Sequence, residues 1–276
     1  MPHSLVVLSG PAASGKTRMI EALIAAKEAI RPYGPMATGA PWIRSGNASK
    51  IRVTFHLDEG ERDFAGSASA TLDSEVIFYR DKVSAEADEG LKAVLGRYAH
   101  NPSFGKVDYF PAERRIPMFP PFAGTSSGEQ RIGRLAKDQR KYGFVLPFLR
   151  SLEQDGARRE RFATTLSALS PSCRYVTDTS GDAIPRCFSS RGGEPATVAQ
   201  LSHGESDAVI FAATAAMIGL DHSLIFIDRP DIHHEEVEPL LESLRALGRD
   251  NQLFVTGGAR LAAAARGAHV VTLKTV

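Results

Sequence analysis

Apolar and polar positions follow two different rhythms along this chain. Residues 4–8 (SLVVL) are apolar and rich in β-branched side chains, which predicts a short buried strand, and residues 17–30 repeat apolar positions with the period of an amphipathic helix. The last third shows the same alternation, with strands predicted at 223–228, 252–257 and 269–274 and helices predicted at 204–218 and 235–247. Strands that alternate with helices indicate an α/β fold with a largely parallel sheet.

The middle of the chain has a different pattern. Residues 51–57 alternate apolar and polar positions and, with residues 74–80, predict an antiparallel pair of strands joined by a turn-rich segment. A short helix is expected over 90–100, and a strand that runs into a loop is expected over 106–115. Residues 129–170 are typical of helices and are dense in Arg and Lys.

The composition narrows the class of protein. The chain has 276 residues, 43% hydrophobic and 24% charged, which excludes an intrinsically disordered or collagen-like protein. Its 33 basic and 32 acidic residues nearly cancel, so nucleic-acid binding would require a local basic patch. Two cysteines, Cys173 and Cys187, flank a predicted β-hairpin; they are too few for a zinc site or a disulfide framework and are expected to be reduced thiols.

The hydropathy of the chain bears on the cellular location of the protein. No stretch approaches the roughly 18 apolar residues of a membrane-spanning helix. The N-terminal segment lacks the basic leader and the long apolar run of a signal peptide. We therefore expect a cytoplasmic protein with no membrane partner.

One motif carries explicit chemistry. Residues 10–17 (GPAASGKT) match the phosphate-binding pattern G-x-x-x-x-G-K-[ST] without a mismatch. Gly10 and Gly15 allow the backbone to turn its N–H groups toward phosphate oxygens, and the following helix adds its positive N-terminal end. Lys16 is expected to reach the β- and γ-phosphates, and the Thr17 hydroxyl is expected to bind Mg²⁺. The predicted nucleotide site comprises Gly10, Pro11, Ala12, Ala13, Ser14, Gly15, Lys16 and Thr17.

A second motif, LSHGE at 201–205, lies at the start of a predicted helix. It resembles the signature LSxGE or LSGGQ of the ABC-type ATPase superfamily. In that family the signature of one subunit closes over the nucleotide held by the facing subunit, which implies that Ser202, Gly204 and Glu205 bind the partner's ATP through a helix N-terminus. Taken alone, the pentapeptide is equally compatible with a simple capped helix start in which Ser202 is the N-cap.

A third motif, SLIFID at 223–228, is an apolar strand that ends in a carboxylate. It resembles the family's Walker B strand, which implies that Asp228 serves Mg²⁺ together with Thr17, because this ion prefers hard oxygen ligands. Residues 227–244 (IDRPDIHHEEVEPLLESL) and 109–115 (YFPAERR) are most similar to the soluble SMC, RecF-like and OLD-like AAA ATPase branch of the superfamily.

The resemblance covers nearly the whole chain and implies a complete architecture. The expected fold is an α/β P-loop NTPase of the ABC-ATPase type, with a mixed sheet flanked by helices and an inserted helical lobe. The expected single domain spans 1–276, with a nucleotide-binding lobe of about 1–115 and 196–276 and a helical lobe of about 116–195. The implied cofactors are ATP and Mg²⁺, and the implied partner is a second copy or a related ATPase subunit. DNA repair, chromosome handling or antiphage defence, with a possible effector protein, is the implied setting.

The sequence departs from the family pattern at positions that matter for hydrolysis. The glutamate that follows the Walker B aspartate and acts as the family's general base is replaced by Arg229, which cannot accept a proton at physiological pH. The histidine expected after the next strand is absent from residues 255–258 (VTGG). Gln130 and Gln139 are candidates for the family's Q-loop glutamine by residue type alone.

These departures favour a chain that binds Mg-ATP and dimerises around it but hydrolyses it slowly or not at all. Lys16 and Asp228 remain the residues assigned to any catalysis. In a rival interpretation, Asp231, Glu235 or Glu236 replaces the missing base. Two other classes of function stay open. One is a non-enzymatic regulator or scaffold whose dimer is stabilised by ATP. The other is a P-loop kinase of small molecules, in which Ser202 has no role.

Other charged groups suggest further contacts. Nine basic residues within 131–161 are compatible with a DNA-facing lobe that binds phosphates, although a solvated helical face or a protein contact is the commoner role of such runs. Arg114 and Arg115 are candidates to reach the nucleotide or the opposing subunit. His233 and His234 are adjacent and therefore face different directions, so a solvated loop is favoured over a metal site.

Overall fold

The computed structural model describes residues 4–34, 48–97, 106–118, 130–178, 184–190 and 193–274. The strands in these ranges are β1 Leu5–Ser9, β2 Ser49–His56, β3 Thr71–Phe78, β4 Val83–Ala87, β5 Lys106–Phe110, β6 Cys173–Tyr175, β7 Phe188–Ser190, β8 Ser223–Asp228, β9 Gln252–Gly257 and β10 His269–Thr272. The α-helices are α1 Lys16–Ile30, α2 Glu59–Ala65, α3 Glu89–Leu95, α4 Val145–Ser151, α5 Gly156–Leu169, α6 His203–Ile218, α7 Val237–Arg245 and α8 Ala259–Ala264. Short 3-10 helices cover Gln139–Tyr142, Val198–Gln200 and Pro230–His233.

The central sheet has the strand order β10-β1-β9-β8-β5, and every neighbouring pair in it is parallel. All five residues of β1 are buried, as expected for a parallel strand covered by helices on both faces. The register pairs Ser9 with Gly257 and Asp228 with Thr256. The phosphate-binding loop after β1 and Asp228 at the end of β8 therefore lie at the same carboxyl edge of the sheet, one strand apart.

Helix α6 is the most buried helix described. Every residue from Asp207 to Ile218 is buried, because apolar or small residues occupy nearly all sides of the helix and Asp207 forms a buried ion pair. Gly219 ends the helix in the left-handed conformation at φ 68°. Helix α5 packs along α6, and the hairpin β6–β7 closes the far side through edge-to-face contacts of Phe162 with Phe148 and Tyr175.

The antiparallel strands form a sheet of their own, in the order β2-β3-β4. The α/β fold with helices flanking a largely parallel sheet is thus confirmed, but the expected mixing of both strand directions in one sheet is not seen in the described residues. Along β2, exposed residues alternate with half-buried ones, and helix α1 packs against this second sheet. The alternation detected at 51–57 arises from this one-sided burial.

Among the described strands and α-helices, three were not predicted from the sequence: α2, β4 and α8. Helix α2 occupies the segment expected to be a turn because Asp58 and Glu61 form a capping box, with the Asp58 carboxylate accepting from Glu61 N at 2.8 Å and the Glu61 carboxylate accepting from Asp58 N at 3.1 Å. The predicted helix over 90–100 ends at Leu95, and residues 98–100 lie outside the described part of the chain.

No helix among the described residues is long and apolar enough to cross a membrane.

Both cysteines are free and buried. Burial raises the pKa of Cys173 and of Cys187 to about 12, which makes both thiols poor nucleophiles at neutral pH.

A buried lysine on α1 provides a test of the packing. Lys27 is 3% exposed, pairs with Glu28 at 2.8 Å and lies over the Tyr33 ring, and burial lowers its pKa to about 7. Between pH 7 and about 10.5 the unfolded chain therefore holds a proton that the folded chain has lost, so stability rises with pH in this window. We expect Lys27→Met to be more stable than the wild type at pH 6.5 by about 3 kcal/mol, with the difference shrinking by pH 9.5. Urea unfolding at both pH values measures this.

Lys82→Met, which replaces an exposed lysine, is the control for that measurement, and we expect it to follow the wild type at both pH values. A constant difference between Lys27→Met and the wild type across the two pH values would contradict the assigned pKa of Lys27.

Candidate functional site

The loop at 10–17 leaves β1 and enters α1 through three residues with positive φ. Gly10 has φ 152°, and a Cβ at this position would lie 2.5 Å from the Leu273 carbonyl oxygen, so only glycine fits. Ala13 has φ 60° and Gly15 has φ 90°, and Gly15 is the N-cap of α1 without any side-chain cap. The first turn of a 15-residue helix is thus presented with N–H groups that no side chain caps, which is the arrangement that binds phosphate.

The Lys16 ammonium lies inside this loop. It donates to the carbonyl oxygens of Gly10 at 2.8 Å and Pro11 at 2.6 Å, and to Ser14 Oγ at 3.4 Å. These contacts hold a cation within the curl of the loop, where the charge attracts phosphate oxygens.

Asp228 faces the loop from the end of β8. Its carboxylate accepts a hydrogen bond from the Thr17 hydroxyl, at 3.1 Å to Oδ1 and 3.0 Å to Oδ2, and another from the Thr256 hydroxyl. Asp228 is 3% exposed, so these hydroxyls replace the water that a buried carboxylate loses. Thr17 and Asp228, which are 211 positions apart in sequence, thus meet at the carboxyl edge of the sheet.

The donor set at this point suits a hard cation. The Thr17 hydroxyl oxygen and the Asp228 carboxylate are oxygen ligands of the kind that Mg²⁺ selects, and they lie at the mouth of a phosphate-binding loop. The residues therefore fit the ion that the motifs imply, with Thr17 and Asp228 as the candidate ligands.

The residue after Asp228 adopts an unusual conformation. Arg229 has φ 48° and ψ 61°, a left-handed conformation that costs a non-glycine residue about 1 kcal/mol or more. The Thr256 hydroxyl accepts a hydrogen bond from Arg229 N at 3.0 Å, which links the strained residue to the strand end that holds Asp228. The Arg229 side chain is exposed, and its guanidinium is a permanent cation that cannot accept a proton.

The acids proposed as substitute bases differ in their surroundings. Asp231 is 9% exposed, and its Oδ1 is buried without a hydrogen-bond donor among the described residues. Glu235 and Glu236 are exposed, and Asp231 is therefore the only buried one of the three.

The LSHGE segment forms the tip of α6. Ser202 is the N-cap: its hydroxyl accepts from Glu205 N at 3.3 Å, and the Glu205 carboxylate accepts from Ser202 N at 2.9 Å. Both Ser202 and His203 are exposed. No hydrogen bond or ion pair joins residues 202–205 to the loop 10–17 within the described part of the chain. The capped-helix interpretation and the signature interpretation are therefore compatible, because a capped tip that faces outward is free to meet another molecule.

Gly204 packs against the segment that follows Asp228. A Cβ at Gly204 would lie 2.9 Å from the His233 carbonyl oxygen, and the His203 and His233 rings stack with centroids 4.9 Å apart. Burial lowers the pKa of the neighbouring His234 below its usual value. In the described residues no cluster of three or more His, Cys, Asp or Glu side chains is arranged to hold a metal.

The basic stretch 131–161 is only partly a surface. Arg134 is fully buried, and its Nε donates to both carboxylate oxygens of Asp108, at 2.9 and 2.8 Å. Lys141 is also buried, donates to three backbone carbonyl oxygens and has its pKa lowered by burial. Two of the nine cations counted toward a DNA-facing lobe therefore belong to the core, which weakens that expectation.

The structure places the other sequence candidates as follows. Arg114 is buried in an ion pair with Asp207, which disfavours the expectation that it reaches the nucleotide or an opposing subunit. Arg115 is exposed. Gln130 is buried, and Gln139 begins the 3-10 helix Gln139–Tyr142. Among the described residues, the hydrogen bonds to the Asp228 carboxylate come from Thr17 and Thr256 and not from either glutamine. Thr256, a direct partner of Asp228, has no motif that would have revealed it.

Solved structures with this fold include several SMC heads. An Smc head bound to the C-winged-helix domain of ScpA matches with a TM-score of 0.58 and 14% identity, covering 95% of this chain and 84% of that chain. An Smc head with an extended coiled coil, bound to the C-terminal domain of ScpA from Pyrococcus furiosus, matches with a TM-score of 0.57 and 12% identity, covering 98% and 87%. The SMC head domain from Thermotoga maritima matches with a TM-score of 0.50 and 15% identity, covering 96% and 86%.

No family model matches the sequence, and no curated protein matches it significantly. At these identities the structural matches establish the fold alone. The chain has the fold of an SMC head, as the resemblance to the SMC branch implied.

Proposed function

We propose that this chain binds Mg-ATP in the loop 10–17 and, in that state, associates with a second copy or with a related ATPase subunit. The contact of the Thr17 hydroxyl with the Asp228 carboxylate carries the proposal, because it joins the phosphate-binding loop to a buried acid at the point where Mg²⁺ is needed. The outward-facing tip Ser202–Glu205 supports association, since a helix N-terminus exposed to solvent attracts the γ-phosphate held by another molecule.

Each residue has a distinct role in this proposal. The N–H groups of Gly10, Pro11, Ala12, Ala13, Ser14, Gly15 and Lys16 surround the phosphates, and the Lys16 ammonium neutralises their charge. Thr17 and Asp228 hold Mg²⁺, which screens the phosphate oxygens when bound. Ser202, Gly204 and Glu205 form the surface presented to the nucleotide of the facing subunit.

We infer that hydrolysis is slow in this chain. Arg229 occupies the position of the base, and the end of β9 and the position after it hold Gly257 and Gly258 in place of a histidine. Loss of a general base typically lowers a rate by about 10²- to 10⁴-fold. The bound nucleotide then acts as a switch for association, with an effector protein as the reader. Two of the similar Smc heads are bound to ScpA domains, which supports a protein partner.

Association in the presence of nucleotide is the direct test. We expect the wild type to be monomeric without nucleotide and to associate with Mg-ATP in sedimentation velocity runs. Ser202→Arg places a bulky cation on the helix tip and is expected to weaken association by about tenfold or more. The same variant should bind Mg-ATP with an affinity within about threefold of wild type, because its own loop is intact.

Ser84→Arg, on the exposed face of β4, is the matched control and should associate normally. A small-molecule kinase predicts Mg-ATP binding with no association and no effect of Ser202→Arg. A regulator or scaffold predicts association without any turnover. Failure of wild type to bind Mg-ATP contradicts the proposal as a whole.

A further inference from the structure

Arg114 lies at a junction between three parts of the site described above. It follows β5, is 5% exposed, and its guanidinium donates to the carbonyl oxygens of Pro111 at 2.6 Å and Asp228 at 3.0 Å. A longer contact of 3.5 Å reaches the carbonyl oxygen of Arg229. Arg114 therefore holds the backbone at the point where β8 ends and the left-handed residue begins.

The same guanidinium holds α6. Its second terminal nitrogen donates to the Asp207 carboxylate at 2.6 Å, and the side chains of the two residues are 0% and 2% exposed. Asp207 lies about one turn beyond the tip Ser202–Glu205 on a helix that is buried from this residue onward. A displacement of Asp207 therefore moves the tip, because a packed helix shifts as a unit.

The third side of the junction is the 3-10 helix Pro230–His233. It begins directly after Arg229 and ends at His233, whose carbonyl oxygen leaves no room for a side chain at Gly204. The first turn of α6 is thus held from two directions by backbone that begins at Asp228. One of these connections passes through Arg114, and the other passes along the chain itself.

A buried ion pair of this kind is a poor device for stability alone. Removing both charges from water has a high free-energy penalty, and well-packed apolar residues often replace such pairs without loss. The Arg114 guanidinium contacts Asp207 on α6 and the Asp228 carbonyl oxygen at the end of β8, and so fixes the position of α6 relative to β8. Apolar side chains would fix this position less specifically.

We propose that Arg114 is a positioning residue that couples the Mg-ATP site at Asp228 to the orientation of the tip Ser202–Glu205. This inference rests on the proposed function, since it concerns how ATP binding in one part of the chain reaches the surface that meets a partner. Arg114 acts through the Asp228 and Arg229 backbone and through Asp207, and it is assigned no contact with nucleotide.

Hydrogen exchange separates coupling from folding. At a protein concentration below that of association, Mg-ATP is expected to change the exchange of backbone amides at 203–207 in wild type. Arg114→Met should abolish this change while Mg-ATP affinity, measured by calorimetry, stays within about threefold. Association with Mg-ATP, measured at higher concentration, should weaken by about tenfold in the same variant.

Arg134→Met is the matched control, because it also removes a buried arginine that contacts α6, through Thr214 at 3.0 Å, but it touches neither Asp228 nor Arg229. This variant is expected to lose thermal stability and to keep the ATP-induced change. Arg114→Lys retains the charge and should recover part of the change. Asp207→Asn, which keeps an oxygen acceptor without the charge, should lower it and serves if Arg114→Met does not fold.

The outcomes are distinct. An ATP-induced change at 203–207 that persists in Arg114→Met, or in Asp207→Asn when it replaces that variant, overturns the inference. So does an equal loss of the change in Arg114→Met and Arg134→Met, which would show a purely structural role. Wild type that binds Mg-ATP without any change at 203–207 overturns the inference alone, whereas wild type that does not bind Mg-ATP overturns the proposed function and the inference with it.

Discussion

Replacing Lys16 with alanine is expected to weaken Mg-ATP binding by about 100-fold, since it removes charge-assisted hydrogen bonds of about 1.5–3 kcal/mol each to the phosphates. The ammonium is held in the loop by the carbonyl oxygens of Gly10 and Pro11 and by Ser14 Oγ, so the cation is already in place before nucleotide arrives. Isothermal titration calorimetry with Mg-ATP measures the loss directly. Nucleotide-dependent association should disappear in the same variant at concentrations where wild type associates.

The control for this prediction is Lys50→Ala. Lys50 is an exposed lysine that pairs with Glu75 on the second sheet, and exposed ion pairs contribute at most about 1 kcal/mol to stability. We expect this variant to bind Mg-ATP as the wild type does. Binding by Lys16→Ala with wild-type affinity would show that the loop 10–17 is not the nucleotide site, and the proposed function would then fail.

Replacing Arg229 with glutamate is expected to raise ATP turnover by about 100-fold, because it places a proton acceptor at the position where the resemblance to ABC-type ATPases implies a general base. The conformational penalty is unchanged, since glutamate must adopt the same left-handed backbone that Arg229 adopts at φ 48°. Phosphate release under saturating Mg-ATP measures the effect. The double variant Lys16→Ala/Arg229→Glu should return to background, which assigns the gained activity to this site.

Asp231→Asn distinguishes the rival explanation. Asp231 is the buried one of the three candidate replacement bases, and its Oδ1 has no hydrogen-bond donor in the described part of the structure. If Asp231 is the base, the wild type turns over ATP readily, Asp231→Asn abolishes that turnover and Arg229→Glu adds little. We expect the opposite pattern: slow turnover in wild type that Asp231→Asn leaves unchanged.

The backbone at Asp228 and Arg229 is restrained by Arg114, which affects the expected result for Arg229→Glu. Arg114 binds the carbonyl oxygens of Asp228 and Arg229, so a substitution at 229 acts on backbone that is already restrained from the β5 side. We therefore expect Arg229→Glu to alter the chemistry at its own side chain while the position of Asp228 stays fixed. The Thr256 hydroxyl, which bonds both Asp228 and Arg229 N, adds a second restraint.

Local features of the chain were sufficient for much of the fold and part of the candidate site. The β-branched run of β1, the period of α1 and the glycines of the loop 10–17 specify their structure through nearest-neighbour sterics and helix periodicity, which do not depend on the rest of the molecule. Helix α2 went undetected because its stability comes from a capping box in a short polar segment without an apolar period.

The sequence by itself determined the phosphate-binding loop, the strand that ends at Asp228 and the serine-capped tip of α6, because each is encoded within a few consecutive residues. Only the tertiary structure decided which residues meet there. The strand order β1-β9-β8 brings Thr17, Asp228 and Thr256 together, and the packing of α6 against the end of β5 buries Arg114 and Arg134 as partners of Asp207 and Asp108. The sequence does not distinguish a charged residue that lies on the surface from one that is buried in the core. Its partner is chosen by long-range packing, which a local pattern does not contain.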